Sequence, residues 1–258
     1  MSVIKSFCSA FLMYSRIPVP EVEWKEENRR FALCFFPLVG AVIGGLLMLW
    51  FWVCGALKVD KLLFAAVAVA MPVFITGGIH LDGFCDVHDA KASLGSREKL
   101  FEAMNDSRIG AFAAINLVVY FIVQLGLFSQ IKSADIMLIS ALGFVTSRAW
   151  SGLAAVTFKC AKKNGTLQSF TKPAHRNITF AAEIFYIVLT TAAMIFANPV
   201  SGTSGAVGGA VSVLYYRHFS YKKFGGITGD LAGYFLQICE INIMGFAAAA
   251  SLISEVIF

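Results

Sequence analysis

The spacing of its charges constrains this chain most. Between clusters of Lys, Arg, Asp and Glu lie long apolar runs, at 31–57, 62–79, 110–131, 136–158, 178–197, 205–219 and 233–257. About 20 mostly apolar residues is the length of a helix that spans a bilayer's hydrocarbon core. Composition agrees: over 258 residues, 58% are hydrophobic and 14% charged, against about 45–50% and about 25% in an ordinary soluble domain. Such a chain is not disordered, not a coiled coil and not a nucleic-acid-binding domain of the usual kind; its expected surroundings are a lipid bilayer. The predicted fold class is all-α: a polytopic integral membrane helix bundle of about seven transmembrane helices, one membrane domain over 1–258. The sixth run is short and Gly-rich, and the first holds Pro37, which can kink a helix.

Basic residues set the orientation. Of 21 Lys and Arg, 17 fall in the N-terminal segment and in the loops on its side of the membrane, from Lys5 and Arg16 through Lys91, Arg97, Lys99 and Arg108 to Lys159, Lys162, Lys163 and Lys222. The opposite side has Lys58, Lys61 and Lys132. This asymmetry predicts a cytoplasmic N-terminus and puts function in the loops 80–109, 159–176 and 220–232. The apolar segment 7–14 is short and is followed by Arg16-Ile17-Pro18-Val19-Pro20 rather than a cleavage site, so it reads as a retained interfacial or re-entrant piece. Six scattered cysteines form no CxxC and read as buried, reduced thiols. Gly40/Gly44 and Gly205/Gly209 have the GxxxG spacing of close helix packing.

After Gly77-Gly78 come His80, Asp82, Asp86, His88, Asp89 and Lys91. At 100° per residue, Asp86 lies about 40° and Asp89 about −20° from Asp82, so the three carboxylates share one helix face within roughly 60°. Their mutual repulsion has to be offset. Hard oxygen ligands without Cys suit Mg²⁺, Mn²⁺ or Ca²⁺. The alternative is a solvated acidic helix end held by Lys91, Arg97 and Lys99. His80 and His88 point away from that face and are better placed to hydrogen-bond substrate or backbone. Gly77-Gly78 can break the helix before the acids without scattering them.

Asn105-Asp106-Ser107-Arg108 precedes the third run; it reads as a helix N-cap and equally as a phosphate-binding turn in which Asp106 adds a carboxylate and Arg108 a guanidinium. Gly225-Gly226-Ile227-Thr228-Gly229-Asp230 could offer backbone N–H groups to phosphate, or be a flexible turn. It lacks the Gly-Lys-Ser/Thr end of a P-loop. Arg148, Glu183 and Glu240 are charges inside apolar runs, where an ion pair with Arg148 would account for one of the acids. Acidic, phosphate-binding and basic loops on one membrane face suit phosphoryl transfer.

Taken together these motifs resemble the cobalamin synthase family. The resemblance runs nearly end to end, through Ser15-Arg16-Ile17-Pro18-Val19-Pro20, Phe36-Pro37-Leu38-Val39-Gly40, Thr76-Gly77-Gly78-Ile79-His80-Leu81-Asp82-Gly83 with Asp86 and Asp89, Met104-Asn105-Asp106-Ser107-Arg108-Ile109-Gly110, and Gly225-Gly226-Ile227-Thr228-Gly229-Asp230. It implies an adenosylcobinamide-GDP ribazoletransferase of cobalamin biosynthesis, multi-pass in a bacterial or archaeal cytoplasmic membrane. Adenosylcobinamide-GDP would join to α-ribazole or α-ribazole 5′-phosphate, GMP would leave, and adenosylcobalamin or its phosphate would form. A divalent metal, usually Mg²⁺, is implied; oligomeric state is left open, a homo-oligomer included. The family is distantly similar to CDP-alcohol phosphotransferases. Two departures, Cys85 for a small residue and Ala90 for Gly, touch no carboxylate.

On that reading Asp82, Asp86 and Asp89 hold Mg²⁺ on the diphosphate, and Arg108 and Lys91 contact phosphate. His80, Ser107 and Thr228 belong to the substrate-binding loops. The ribose 3′-hydroxyl attacks, and Asp106 or Asp230 takes its proton. The competing readings are a CDP-alcohol phosphatidyltransferase-like enzyme acting on lipid and a cation or small-molecule transporter using Glu183, Glu240 and Arg148.

Overall fold

Each apolar run becomes helix, the conformation that satisfies every backbone group within its own segment. The computed structural model describes residues 2–93, 95–162 and 165–257; Lys163, counted above among the basic loop residues, lies outside them. The helices are α1 (Ser2–Tyr14), α2 (Glu26–Arg29), α3 (Ala32–Leu57), α4 (Lys61–Thr76), α5 (Ile79–Ala92), α6 (Arg97–Met104), α7 (Ala111–Ser129), α8 (Ala134–Thr157), α9 (Thr166–Thr171), α10 (Arg176–Ala197), α11 (Pro199–Phe224) and α12 (Gly229–Ile257). Among the described residues there is no strand, only an isolated bridge between Cys160 and Ile227.

Among the described residues, five helices are long and apolar enough to cross a membrane: α3, α7, α8, α10 and α12. With 16 residues, α4 reaches that standard only together with α5, from which it is bent by 96°. Counting that pair gives six where the sequence reading has about seven. The run that drops out is the sixth: α11 has 26 residues, but its glycines, serines and Lys222-Lys223 end make it too polar. The segment 7–14 lies in α1, whose Ser9 hydroxyl donates to the Asn28 carbonyl at 3.1 Å and whose Ser6 accepts from the Phe31 N–H at 3.3 Å.

α8 is the central post. Of its most apolar stretch, 78% is buried within the protein, against 22% for α7 and for α10. Those two present Ile115, Ile122, Phe185 and Phe196 outward, the face expected against lipid. Glycine lets α3 close on α8: a β-carbon at Gly40 would collide with the Phe144 carbonyl, and one at Gly44 would lie 2.5 Å from that of Ala141. The second GxxxG is looser. Gly205 and Gly209 meet Ile139 and Ile243 at 3.3–3.4 Å, while the tight approaches of α11 are Gly202 on the Met194 carbonyl and Gly208, 2.6 Å from that of Asn242.

The intramembrane charges sort themselves. Arg148 on α8 pairs with Glu240 on α12 at 2.6 Å, both almost fully buried. Ser147 donates to the same carboxylate at 3.3 Å, and Arg148 also donates to the Phe144 carbonyl at 2.8 Å. Glu183 on α10 is buried beside Gly152 of α8, and neither of its oxygens has a hydrogen-bond partner among the described residues. Removing one member of a buried pair strands the other, at a cost of about 3–5 kcal/mol. Glu240→Leu should lower the unfolding free energy in detergent by that amount, read from the denaturant midpoint; an unchanged midpoint would deny the pair any part in stability.

Candidate active site

The site begins at an elbow. α4 ends and α5 starts at Gly77 and Gly78, with φ of +66° and +77°, a left-handed pair that side chains rarely adopt. A β-carbon at Gly77 would also strike the Arg16 side chain. Beyond the elbow α5 is a regular helix, so Asp82, Asp86 and Asp89 keep the helical spacing read from sequence. With three Asp, two His and one Lys in 14 residues, α5 is far more polar than the helix it follows.

α5 then meets the start of α12 backbone to backbone. A β-carbon on Gly83 would lie 2.8 Å from the Asp230 Cα, and one on Gly233 would lie 2.9 Å from the His80 carbonyl oxygen. This double approach places Asp82 and Asp230 on the wall of one cavity of about 250 Å³, together with His80. Asp82 also borders a more open cleft of about 800 Å³ that holds Arg16 and Cys85.

The acids feel one another. Burial first, then the charges of Asp82, Asp230 and Asp89, push the Asp86 carboxyl up to about 7, while Lys162 opposes them. Lys162 owes its position to the bridge between chain segments: the Ile227 N–H donates to the Lys159 carbonyl at 2.8 Å and the Ala161 N–H to the Ile227 carbonyl at 2.9 Å. Its Nζ donates to Asn105 at 3.1 Å and sits 4.9 Å from the Phe101 ring centre. Lys91 donates to the Tyr234 hydroxyl at 3.3 Å and lines a cleft of about 560 Å³ with Arg97, Lys222 and Lys223. His88 packs against Phe84 and Tyr234, and burial, then Lys91, pushes it down to about 4, so it is neutral.

Several sequence candidates have local duties instead. Asp89 accepts from the Gly110 N–H at 2.6 Å and the Ala113 N–H at 2.9 Å, so both its oxygens cap α7. Asp106 accepts from the Arg108 backbone at 3.0 Å and from its guanidinium at 3.1 and 3.0 Å, in an exposed turn that also holds Ser107. Thr228 caps α12 by accepting from the Leu231 N–H at 3.2 Å. The N–H groups of Gly225, Gly226 and Ile227 go to the carbonyls of Tyr221, Ser220 and Lys159, which leaves those three nothing to offer a phosphate. Among the described residues, no group of three or more His, Cys, Asp or Glu side chains stands ready to hold a metal ion. Asp82 and Asp230 share a cavity wall, and Asp82, Asp230 and Asp89 all act on Asp86, opposed by Lys162, which the sequence marks only as a loop charge.

Fold and site define a multi-pass helical membrane protein with a cavity walled by two aspartates where its fifth helix crosses its last. The chain belongs to the cobalamin-5-phosphate synthase family, whose sequence profile matches residues 6–248, and membership places it in cobalamin biosynthesis. It is 42% identical over 255 residues to a protein of Lachnoclostridium phytofermentans, an alignment covering 99% of this chain and 96% of the relative. A Clostridium perfringens (strain 13) protein is 30% identical over 89% of this chain and 92% of its own length. One from Geobacillus sp. (strain WCH70) is 31% identical over 92% and 94%. All three are named adenosylcobinamide-GDP ribazoletransferase. No solved structure matches the chain.

Because Gly83 sets the spacing of the two aspartate-bearing segments, Gly83→Val should cost the roughly 1–3 kcal/mol typical of overpacking and reduce activity by far more than that loss of stability explains. A fully active variant would show that the contact does not organise the site.

Proposed function

We propose that this chain is an adenosylcobinamide-GDP ribazoletransferase working at the cytoplasmic face of the membrane. The carrying observation is end-to-end similarity to relatives of that name, joined to an acidic cavity shared by two distant chain segments. The acceptor's ribose 3′-hydroxyl attacks the phosphorus that bears cobinamide, the bond from that phosphorus to GMP breaks, and the hydroxyl proton passes to a carboxylate. Asp230 is better placed for this than Asp106, since Asp230 shares a cavity with Asp82 while Asp106 is engaged with Arg108 in an open turn. Lys91, Arg97, Lys222 and Lys223 give the anionic donor a cationic wall.

Asp82, Asp86 and Asp230 suit a divalent cation such as Mg²⁺: their oxygens are hard, and burial followed by the neighbouring carboxylates raises the Asp86 carboxyl. Mg²⁺ usually takes only one or two carboxylates plus waters and substrate phosphates, so a preformed three-ligand set is not required. When bound, it would offset charge on the transferring phosphoryl group and on departing GMP. Asp89 serves this arrangement by anchoring α7 to α5. The transport reading loses its charged pair, since Arg148 and Glu240 satisfy each other.

Purified protein supplied with adenosylcobinamide-GDP, α-ribazole phosphate and Mg²⁺ should release GMP in step with cobamide, and EDTA should stop both. No product from folded protein would overturn the assignment and send attention to lipid substrates. The pH dependence has a defined sign. Asp86 keeps its proton below about pH 7, and a cation has to displace it. Cation affinity, measured by Mn²⁺ titration, should therefore rise about tenfold from pH 6 to pH 8. Asp86→Asn should flatten that dependence; a steep profile in the variant would assign the proton elsewhere.

A further inference from the structure

We propose that the cavity bounded by Asp82 and Asp230 is the seat of the acceptor's aromatic base, and that His80 selects the base through a hydrogen bond to its ring nitrogen. This rests on the ribazoletransferase reading and extends it to the recognition of one substrate.

The cavity has the right walls. Tyr14, Phe36 and Phe170 line it, with Leu33 and Leu236. Tyr14 is the hub of the ring cluster: its centroid is 4.1 Å from that of Phe36, 5.8 Å from Phe170 and 6.2 Å from His80, to which it lies stacked. Phe36, Phe170 and Leu236 are nearly inaccessible, so the walls are held by packing. Size is the second condition. Sites for whole drug-sized ligands run to about 300–1,000 Å³; at about 250 Å³ this one takes a single fused ring system and leaves the ribose and phosphates outside.

His80 supplies the third. It is 6% exposed, yet neither ring nitrogen has a hydrogen-bond partner among the described residues. Buried polar groups are ordinarily paired, and an exception calls for a cause. His80 borders two spaces: this cavity, and a void of about 10 Å³ shared with Arg148 and Glu240. With neither nitrogen engaged, the imidazole has an N–H donor to offer a ligand.

Two bases compete for such a place, that of the acceptor and the guanine of the donor. Guanine presents several donors and acceptors around its edge, and with His80, Ser151, Asp82 and Asp230 as the polar side chains on an otherwise apolar wall, part of that edge would be stranded, which is costly. A benzimidazole-type base has one nitrogen in the glycosidic bond and one bare acceptor. A single N–H donor in an aromatic slot matches it. The ribose of a base seated here emerges beside Asp82 and Asp230, where the attacking hydroxyl is needed.

The test compares benzimidazole riboside with indole riboside, which has the same shape but lacks the acceptor nitrogen. Calorimetry on the full chain in detergent, without donor, should show the indole compound binding about tenfold more weakly. His80→Phe should erase that difference by weakening the benzimidazole compound alone. Ala155→Leu, which intrudes on the cavity wall, should raise KM for α-ribazole phosphate at least tenfold while KM for adenosylcobinamide-GDP stays within twofold. Equal binding of the two ribosides by the unaltered protein would overturn the role of His80. A rise in the donor's KM instead would give the cavity to guanine, and an Ala155→Leu enzyme with both constants unchanged would leave it no ligand. Riboside binding is read without turnover, so an inactive preparation that still discriminates the two would count against the proposed reaction and not against the cavity.

Discussion

The site depends on one contact, the crossing of α5 over the first turn of α12. Gly83 and Gly233 allow the two backbones to touch, and no side chain larger than hydrogen fits between them. α5 reaches the crossing only because the Gly77-Gly78 elbow turns it by 96° from α4. α12 is held in turn by Arg148 of the central helix, through Glu240. Central post, last helix and α5 thus form a chain of positioning in which each link fixes the next, and the aspartates stand at its end.

Charge placement follows from the scarcity of water in this environment. Arg148 and Glu240 neutralise each other, and Asp89 is satisfied by N–H groups at the start of α7. Asp106 has Arg108. Asp86 is different: Asp82, Asp230 and Asp89 all raise its proton affinity, and Lys162 is the cation that opposes them there. Carboxylates left close together beside a cavity put their mutual repulsion where a ligand can relieve it, the pattern expected of a functional site.

Much of this was legible in the sequence because the signals are local. Hydropathy marked the helices, the Gly-Gly pair marked the elbow, the spacing of 82, 86 and 89 gave a common face, and Arg148 was a ready partner for one intramembrane acid. The sixth run is the hardest to read because glycine and serine supply length without apolarity, although α11 still turns Val207, Val211 and Leu214 outward. The role of Asp89 was hidden since the helix it caps starts at Ala111, beyond the reach of any capping pattern. Lys162 was hidden for a similar reason: it comes to the acids through pairing of segments near 160 and 227. The cavity draws on residues from Met13 to Leu236, and no spacing rule connects them.

The union of α5 with α12 has a consequence for how the protein is made. Membrane helices are delivered to the bilayer in the order of their synthesis. The α5 helix with Asp82 emerges early and waits, through several later helices, for the last one to bring Asp230. Until then a nascent chain has a greasy, well-inserted bundle and half a cavity. The cavity closes only with the final helix, so a chain that stalls or is clipped before it lacks the wall that carries Asp230.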